Sequence, residues 1–174
     1  MITPEQEAWI NTLSDRTISI FPYDPKAEEL FKVVSDKIHD LLGEDVLVEH
    51  SGSTIFGIAG QDEIDVAVVA SKAQFADYIP KLETIFGPVR SSYPDRARFE
   101  VKEAGKKIDL KIVDVDHPNY REGKIFEDYL KTHPADLEYY KVFKEESDGL
   151  TLKEYYRRKI EFTNEILAKA GVQI

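Results

Sequence analysis

Residues 49–69 read EHSGSTIFGIAGQDEIDVAVV. A Gly-Ser turn is followed, roughly ten residues later, by an acidic-apolar-acidic triplet at the head of an apolar strand. Strand side chains alternate between faces, so Glu63 and Asp65 point one way while Ile64, Val66 and Val68 point into a core. Two carboxylates side by side are costly unless something cationic stands between them. Oxygen-only ligands of this kind suit Mg²⁺, with Mn²⁺ as the alternative ion, because Mg²⁺ is held by one or two carboxylates together with substrate phosphates. The expected partner is a metal-bound nucleoside triphosphate.

A third acid stands in KKIDLKIVDV, residues 106–115. There Ile108, Leu110 and Ile112 share one face of a strand and Asp109 lies on the other. In two-metal phosphoryl transfer one ion activates the attacking hydroxyl and the other neutralises the triphosphate, so one carboxylate bridges the ions. Asp65 is the expected bridge, with Glu63 and Asp109 as the remaining ligands and Asp109 as an alternative base. Gly52 would let backbone N–H groups approach a phosphate, and Ser53 and Thr54 would add hydroxyl donors. Each feature also has a plain reading: Gly-Ser-Thr is ordinary turn chemistry, and Glu-x-Asp at a strand end is commonly a solvated edge. Their combination on one face is what favours a site.

Further candidates have two readings each. His50 precedes the turn and could touch a phosphate or orient a carboxylate, or could simply end a strand. Lys111 shares the face of Asp109 and could contact a triphosphate or offset the acids. Lys159 closes the basic-aromatic run Tyr155-Tyr156-Arg157-Arg158-Lys159, which could grip a triphosphate or form a solvated helix face. His117 and His133 sit beside prolines and are read as loop or cap residues.

The chain has 174 residues, 42% hydrophobic, and is read as a single domain with a sheet-bearing core over about 1–118 and C-terminal helices over 119–174. Cysteine is absent, which excludes disulfides, thiolate zinc sites and cysteine nucleophiles. The first residues lack a basic segment followed by an apolar run, and no window is long enough to span a bilayer, so a cytoplasmic protein without membrane contact is expected. A net charge of −10 argues against broad nucleic-acid binding, which needs many phosphate contacts from Lys and Arg.

Thr3-Pro4-Glu5-Gln6 and Thr151 to Glu154 read as capping boxes that open helices. Thr17 to Phe21 reads as a strand. Asp24-Pro25 opens a helix with Leu30, Phe31, Val34, Ile38, Leu41 and Leu42 on one stripe, closed by Gly43. Val46 to His50 reads as a strand, and Ser71 to Phe86 as a helix that Pro80 should kink or divide. Ala104-Gly105 joins strands Arg96–Glu103 and Lys106–Val115 as a hairpin. Helices are expected near 120–132, 134–146 and 151–170. This order gives an α+β fold, a mixed sheet with flanking helices and a helical C-terminal third.

Across most of its length the chain resembles the GrpB-like family, whose fold belongs to the nucleotidyltransferase superfamily. The resemblance is carried by Tyr23-Asp24-Pro25, Glu49-His50-Ser51-Gly52-Ser53-Thr54, Ile64-Asp65-Val66, Phe126-Glu127-Asp128-Tyr129-Leu130, His133-Pro134, Tyr140, Lys144, Tyr155 and Lys159. It implies a nucleotidyltransferase-like mixed sheet that holds the Gly-Ser turn beside the acidic strand, and it supplies no substrate. The family usually has lysine, proline and an aliphatic residue where this chain has Gln61, Asp62 and Glu63. It also tends to carry histidine at Asp109 and arginine at Glu127. The first two departures lead toward an acidic triad. The expectation is therefore a Mg²⁺-dependent nucleotidyltransferase that moves a nucleoside monophosphate from a triphosphate to a hydroxyl acceptor, with Gly52, Ser53, Thr54, His50, Lys111 and Lys159 on the nucleotide. The rival is a non-catalytic nucleotide-sensing or protein-interaction module on the same fold.

Overall fold

The computed structural model describes residues 1–173. Five strands form one mixed sheet: β1 (Leu47–Ser51), β2 (Glu63–Ala70), β3 (Ser91–Ser92), β4 (Arg96–Glu103) and β5 (Lys106–Asp114), in the order β1-β2-β5-β4-β3. The β2–β5 pair is parallel and the other pairs are antiparallel. The described residues also form six α-helices: α1 (Pro4–Asn11), α2 (Ala27–Leu42), α3 (Phe75–Phe86), α4 (Pro118–Thr132), α5 (Pro134–Glu145) and α6 (Leu152–Lys169). This is the expected α+β class.

The contacts divide the chain into two compact units. The sheet unit comprises Tyr23–Gly57 and Asp62–Arg121; the helical unit comprises Met1–Pro22, Ile58–Gln61 and the chain from Glu122 onward. Two stretches expected in the sheet-bearing part over about 1–118, residues 1–22 and 58–61, group instead with the C-terminal helices.

In the sheet unit the strand alternation sorts residues as hydrophobic burial demands. Ile64, Val66 and Val68 of β2, Ile108, Leu110 and Ile112 of β5, and Ala97, Phe99 and Val101 of β4 join one core with Val34 and Ile38 of α2 and Leu82 and Phe86 of α3. Thus α2 and α3 cover this face, and the opposite face carries Glu63, Asp65, Asp109 and Lys111 together with the buried Ala67 and Val69. Pro80 does not divide α3, which runs unbroken from Phe75 to Phe86. The one N–H lost would have reached Ala76, and both residues are exposed, so water can satisfy the freed carbonyl. Asp95 braces the end of the β4–β5 pair. Its backbone carbonyl accepts from Asp114 N at 2.8 Å, and its carboxylate accepts from Asn119 Nδ2 at 3.0 Å and pairs with Arg96 at 2.6 Å.

Burial alone would raise the Asp95 pKa, but the Asn119 amide and the Arg96 guanidinium outweigh it and hold the carboxyl below its usual value. Because the folded pKa lies below the unfolded one, the stabilisation is present above the unfolded value of about 4 and is lost as pH falls through the folded pKa. Asp95→Asn is therefore expected to lose less stability than the wild-type chain on acidification below about pH 4, while costing on the order of 1 kcal/mol at pH 7. Urea midpoints across that range check this; parallel acid limbs for both proteins would refute it.

In the helical unit, Thr3 and Thr151 cap α1 and α6 with both reciprocal bonds of the capping box in place. Arg157 of α6 forks onto Glu7 of α1, and the Asn164 amide donates to Met1 O at 2.7 Å. The segment expected as a strand from Thr17 to Phe21 makes only isolated bridges, Thr17 with Thr151 and Phe21 with Gly60. Its ends pair with different parts of the chain, so no ladder can form along it. Tyr140, Phe143, Tyr155 and Phe162 bring α5 and α6 together through stacked rings, and the buried Lys144 ammonium donates to Tyr155 Oη at 2.7 Å. The resemblance-bearing residues Tyr140, Lys144 and Tyr155 thus belong to the interior packing of this unit. Among the described residues, no helix is long and apolar enough to cross a membrane.

Candidate functional site

The parallel register sets Glu63 opposite Lys107, Asp65 opposite Asp109 and Ala67 opposite Lys111. Partners in register share a face, so Glu63, Asp65 and Asp109 stand together on the polar face. The β4–β5 ladder adds Arg98 opposite Lys111, Glu100 opposite Asp109 and Lys102 opposite Lys107. The β1–β2 ladder adds Ser51 opposite Asp65 and Glu49 opposite Ala67. The Tyr120 hydroxyl donates to Glu49 Oε2 at 3.1 Å.

Every member of the expected acidic triad holds a cation of its own sheet. Lys107 Nζ lies 2.6 Å from Glu63 Oε2. Lys111 Nζ lies 2.6 Å from Asp65 Oδ1 and 3.1 Å from Asp109 Oδ2. Arg98 clamps Asp109 from the neighbouring strand, Nε to Oδ1 at 3.1 Å and Nη2 to Oδ2 at 2.7 Å. Lys106 joins Asp62 to Asp24, the latter at 3.0 Å. Asp62 and Glu63 are thus answered by Lys106 and Lys107 across the strand pair. Burial by itself would push the Lys111 ammonium below the ordinary lysine pKa, but attraction to Asp65 and Asp109 outweighs it and holds it well above.

Geometry decides whether Mg²⁺ suits this arrangement. A metal needs carboxylate lone pairs directed at one vacant point, and here Glu63 Oε2, Asp65 Oδ1 and both oxygens of Asp109 are directed at ammonium and guanidinium groups. Among the described residues, no group of three or more His, Asp or Glu side chains is arranged to hold a metal ion. The triad as folded does not fit the ion.

Gly52 has φ 79° and ψ −161°, a conformation that essentially only glycine adopts. A Cβ there would overlap Asp65 Oδ2 and stand 3.0 Å from its Cγ, so the turn and the acidic strand touch at this residue. Ser53 and Thr54 begin a short 3₁₀ turn, Ser53–Phe56. His50, near the end of β1, pairs with Val66 and so shares the core-facing side, opposite to Asp65, as its structural reading has it. Its ring stacks on Phe31 of α2, with centroids 4.8 Å apart, while Nδ1 meets Glu28 Oε2 at 3.1 Å and Nε2 meets Thr54 Oγ1 at 2.8 Å. Its ring nitrogens fasten the turn to α2, which makes His50 and Thr54 a strut. Lys159 stands on α6 in the helical unit, its ammonium 5.9 Å from the Tyr156 ring centroid.

Arg98 escaped the sequence reading, although a signal was present. Counting back through the two-residue turn Ala104-Gly105 sets Arg98 one pair diagonal to Asp109, within reach of a long side chain. His50 was legible too, since it has the parity of Val48, a core-packed residue of the same strand.

The GrpB protein family model matches residues 17–169. The chain belongs to the GrpB family. Among solved structures, the GrpB chain resembles the conserved protein GrpB from Enterococcus faecalis with a TM-score of 0.69 and 20% identity, over 88% of this chain and 99% of that one. At that identity the likeness speaks for the fold. No curated protein matches the chain significantly.

Proposed function

We propose that this GrpB-family chain is a non-catalytic, nucleotide-sensing module that takes up a phosphate-bearing ligand without a divalent ion. The observation that carries this reading is the Lys111 ammonium between Asp65 and Asp109, where transfer chemistry would need a metal. Arg98 and Lys107 keep about a third or more of their side chains exposed and can trade a carboxylate for a phosphate. The carboxylates then act as internal competitors of the ligand.

The alternative, Mg²⁺-dependent transfer of a nucleoside monophosphate from an NTP to a hydroxyl acceptor, is favoured by the in-register placement of Asp65 beside Asp109. Calorimetric titration of ATP, GTP, CTP and UTP, with and without Mg²⁺, into wild type and Asp65→Asn separates the two. A sensing module is expected to bind equally without Mg²⁺ and to keep or tighten binding in Asp65→Asn, because Lys111 loses a competitor. Binding that requires Mg²⁺ and vanishes in Asp65→Asn, with pyrophosphate released, would establish the transferase.

A further inference from the structure

Resting on that reading, we infer that Lys111 is the resident cation of the sheet: its ammonium stands where a hard divalent ion would bridge Asp65 and Asp109, and it closes the chain to Mg²⁺ and Mn²⁺. Four observations converge. Asp65 and Asp109 are register partners on adjacent parallel strands, so their carboxylates leave the sheet side by side. Lys111 Nζ contacts one oxygen of each, at 2.6 and 3.1 Å. The Lys111 side chain is only 24% exposed and the Asp109 side chain 7%, so bulk water does not replace this contact. Lys111 follows Asp109 by two residues on β5 and shares its face, so the ammonium is tethered at a high local concentration that a free ion must displace.

The same distances define what the lysine excludes. Mg²⁺ takes oxygens at about 2.0–2.1 Å, so each carboxylate oxygen would draw in by about an ångström or less if the ammonium were gone. Two carboxylates with water completing the shell are an ordinary Mg²⁺ set, so no third acid is required. Glu63 is held by Lys107 and takes no part. With Lys111 in place, Asp65 and Asp109 face two cations, Lys111 and Arg98, and the local charge is balanced. Without it, two carboxylates face Arg98 alone and the deficit is one positive charge.

The test is Mn²⁺ titration, following the signal of the free aquo ion by electron paramagnetic resonance, into wild type, Lys111→Met, Lys111→Gln and Lys111→Met/Asp65→Asn at constant ionic strength. Wild type is expected to show only weak Mn²⁺ binding that does not depend on Asp65. Lys111→Met is expected to take up one ion per chain at least tenfold more tightly, with a rise in its thermal midpoint, and the double variant is expected to lose both effects. Lys111→Gln removes the charge yet keeps a hydrogen-bond donor, so it carries the test if Lys111→Met does not fold. A folded Lys111→Met or Lys111→Gln that binds no more Mn²⁺ than wild type would overturn the inference, as would Asp65-dependent Mn²⁺ binding by wild type. These outcomes are distinct from failure of the sensing reading, which is judged by Mg²⁺-dependent nucleotide binding and pyrophosphate release.

Discussion

Gly52→Ala is expected to be among the most damaging single-methyl additions in the sheet unit, costing about 2–5 kcal/mol. Two independent penalties add. The backbone at φ 79° and ψ −161° is strained for any residue with a Cβ. The added methyl would also collide with the Asp65 carboxylate, which cannot retreat freely because Lys111 holds its other side at 2.6 Å. Gly57 supplies the control. It too has positive φ, 64°, but with ψ 29° it lies in the ordinary left-handed region, and a Cβ there meets nothing within 4 Å. Gly57→Ala should therefore cost only about 1 kcal/mol, the backbone part alone. Guanidinium midpoints of the two variants measure the difference. Equal losses would mean that the contact between turn and acidic strand contributes nothing.

Lys111→Ala is expected to cost about 3–5 kcal/mol, far more than an ordinary surface lysine. The reason lies in what stays behind: Asp65 and Asp109 lose a shared cation on a face where neither is well hydrated. Breaking a buried pair costs more than the pair ever contributed, because desolvation of the remaining charge is no longer offset. Lys32 on α2 marks the other extreme. Its pair with Asp36 has side chains 72% and 58% exposed, and Lys32→Ala should change stability by less than about 0.5 kcal/mol. Equilibrium unfolding of both variants in moderate salt tests the contrast. A Lys111→Ala loss as small as that of Lys32→Ala would show that the lattice of acids and bases is solvated and energetically idle.

Much of the fold was legible because local rules fix it. The turn Ala104-Gly105 ends β4 and begins β5 at the expected residues, and the capping boxes at Thr3 and Thr151 open their helices as read. The stripe Val34-Ile38 on α2 faces the core because a helix repeats every three to four residues. The acids on β2 and β5 share a face through strand alternation alone. What they touch was not legible, since it depends on the register of two parallel strands whose partners, such as Asp65 and Asp109, are far apart in sequence. A one-residue slip is excluded because it would send Asp109 into the core, but a slip of two residues would keep every face and set Asp109 beside Glu63 or Ala67, and nothing in either strand by itself reports that offset. For the same reason Lys111 could be placed on the right face without revealing which of two readings held. Pro80 illustrates a different limit: the rule against proline inside a helix weakens when the lost bond faces water.

The central strand pair also orders the assembly of the molecule. β4 and β5 meet across two residues, so their hairpin can close within microseconds, whereas β2 must find β5 across a long crossover that contains α3 and the hairpin's first arm. By loop-closure entropy that docking is expected to follow closure of the hairpin. Lys107 and Lys111 wait on β5 for carboxylates that arrive only with β2, while Arg98 and Asp109 can already meet within the hairpin. The nascent hairpin is thus expected to offer a polar face rich in Arg98, Lys102, Lys107 and Lys111, to which the acids of β2 are complementary when that strand docks.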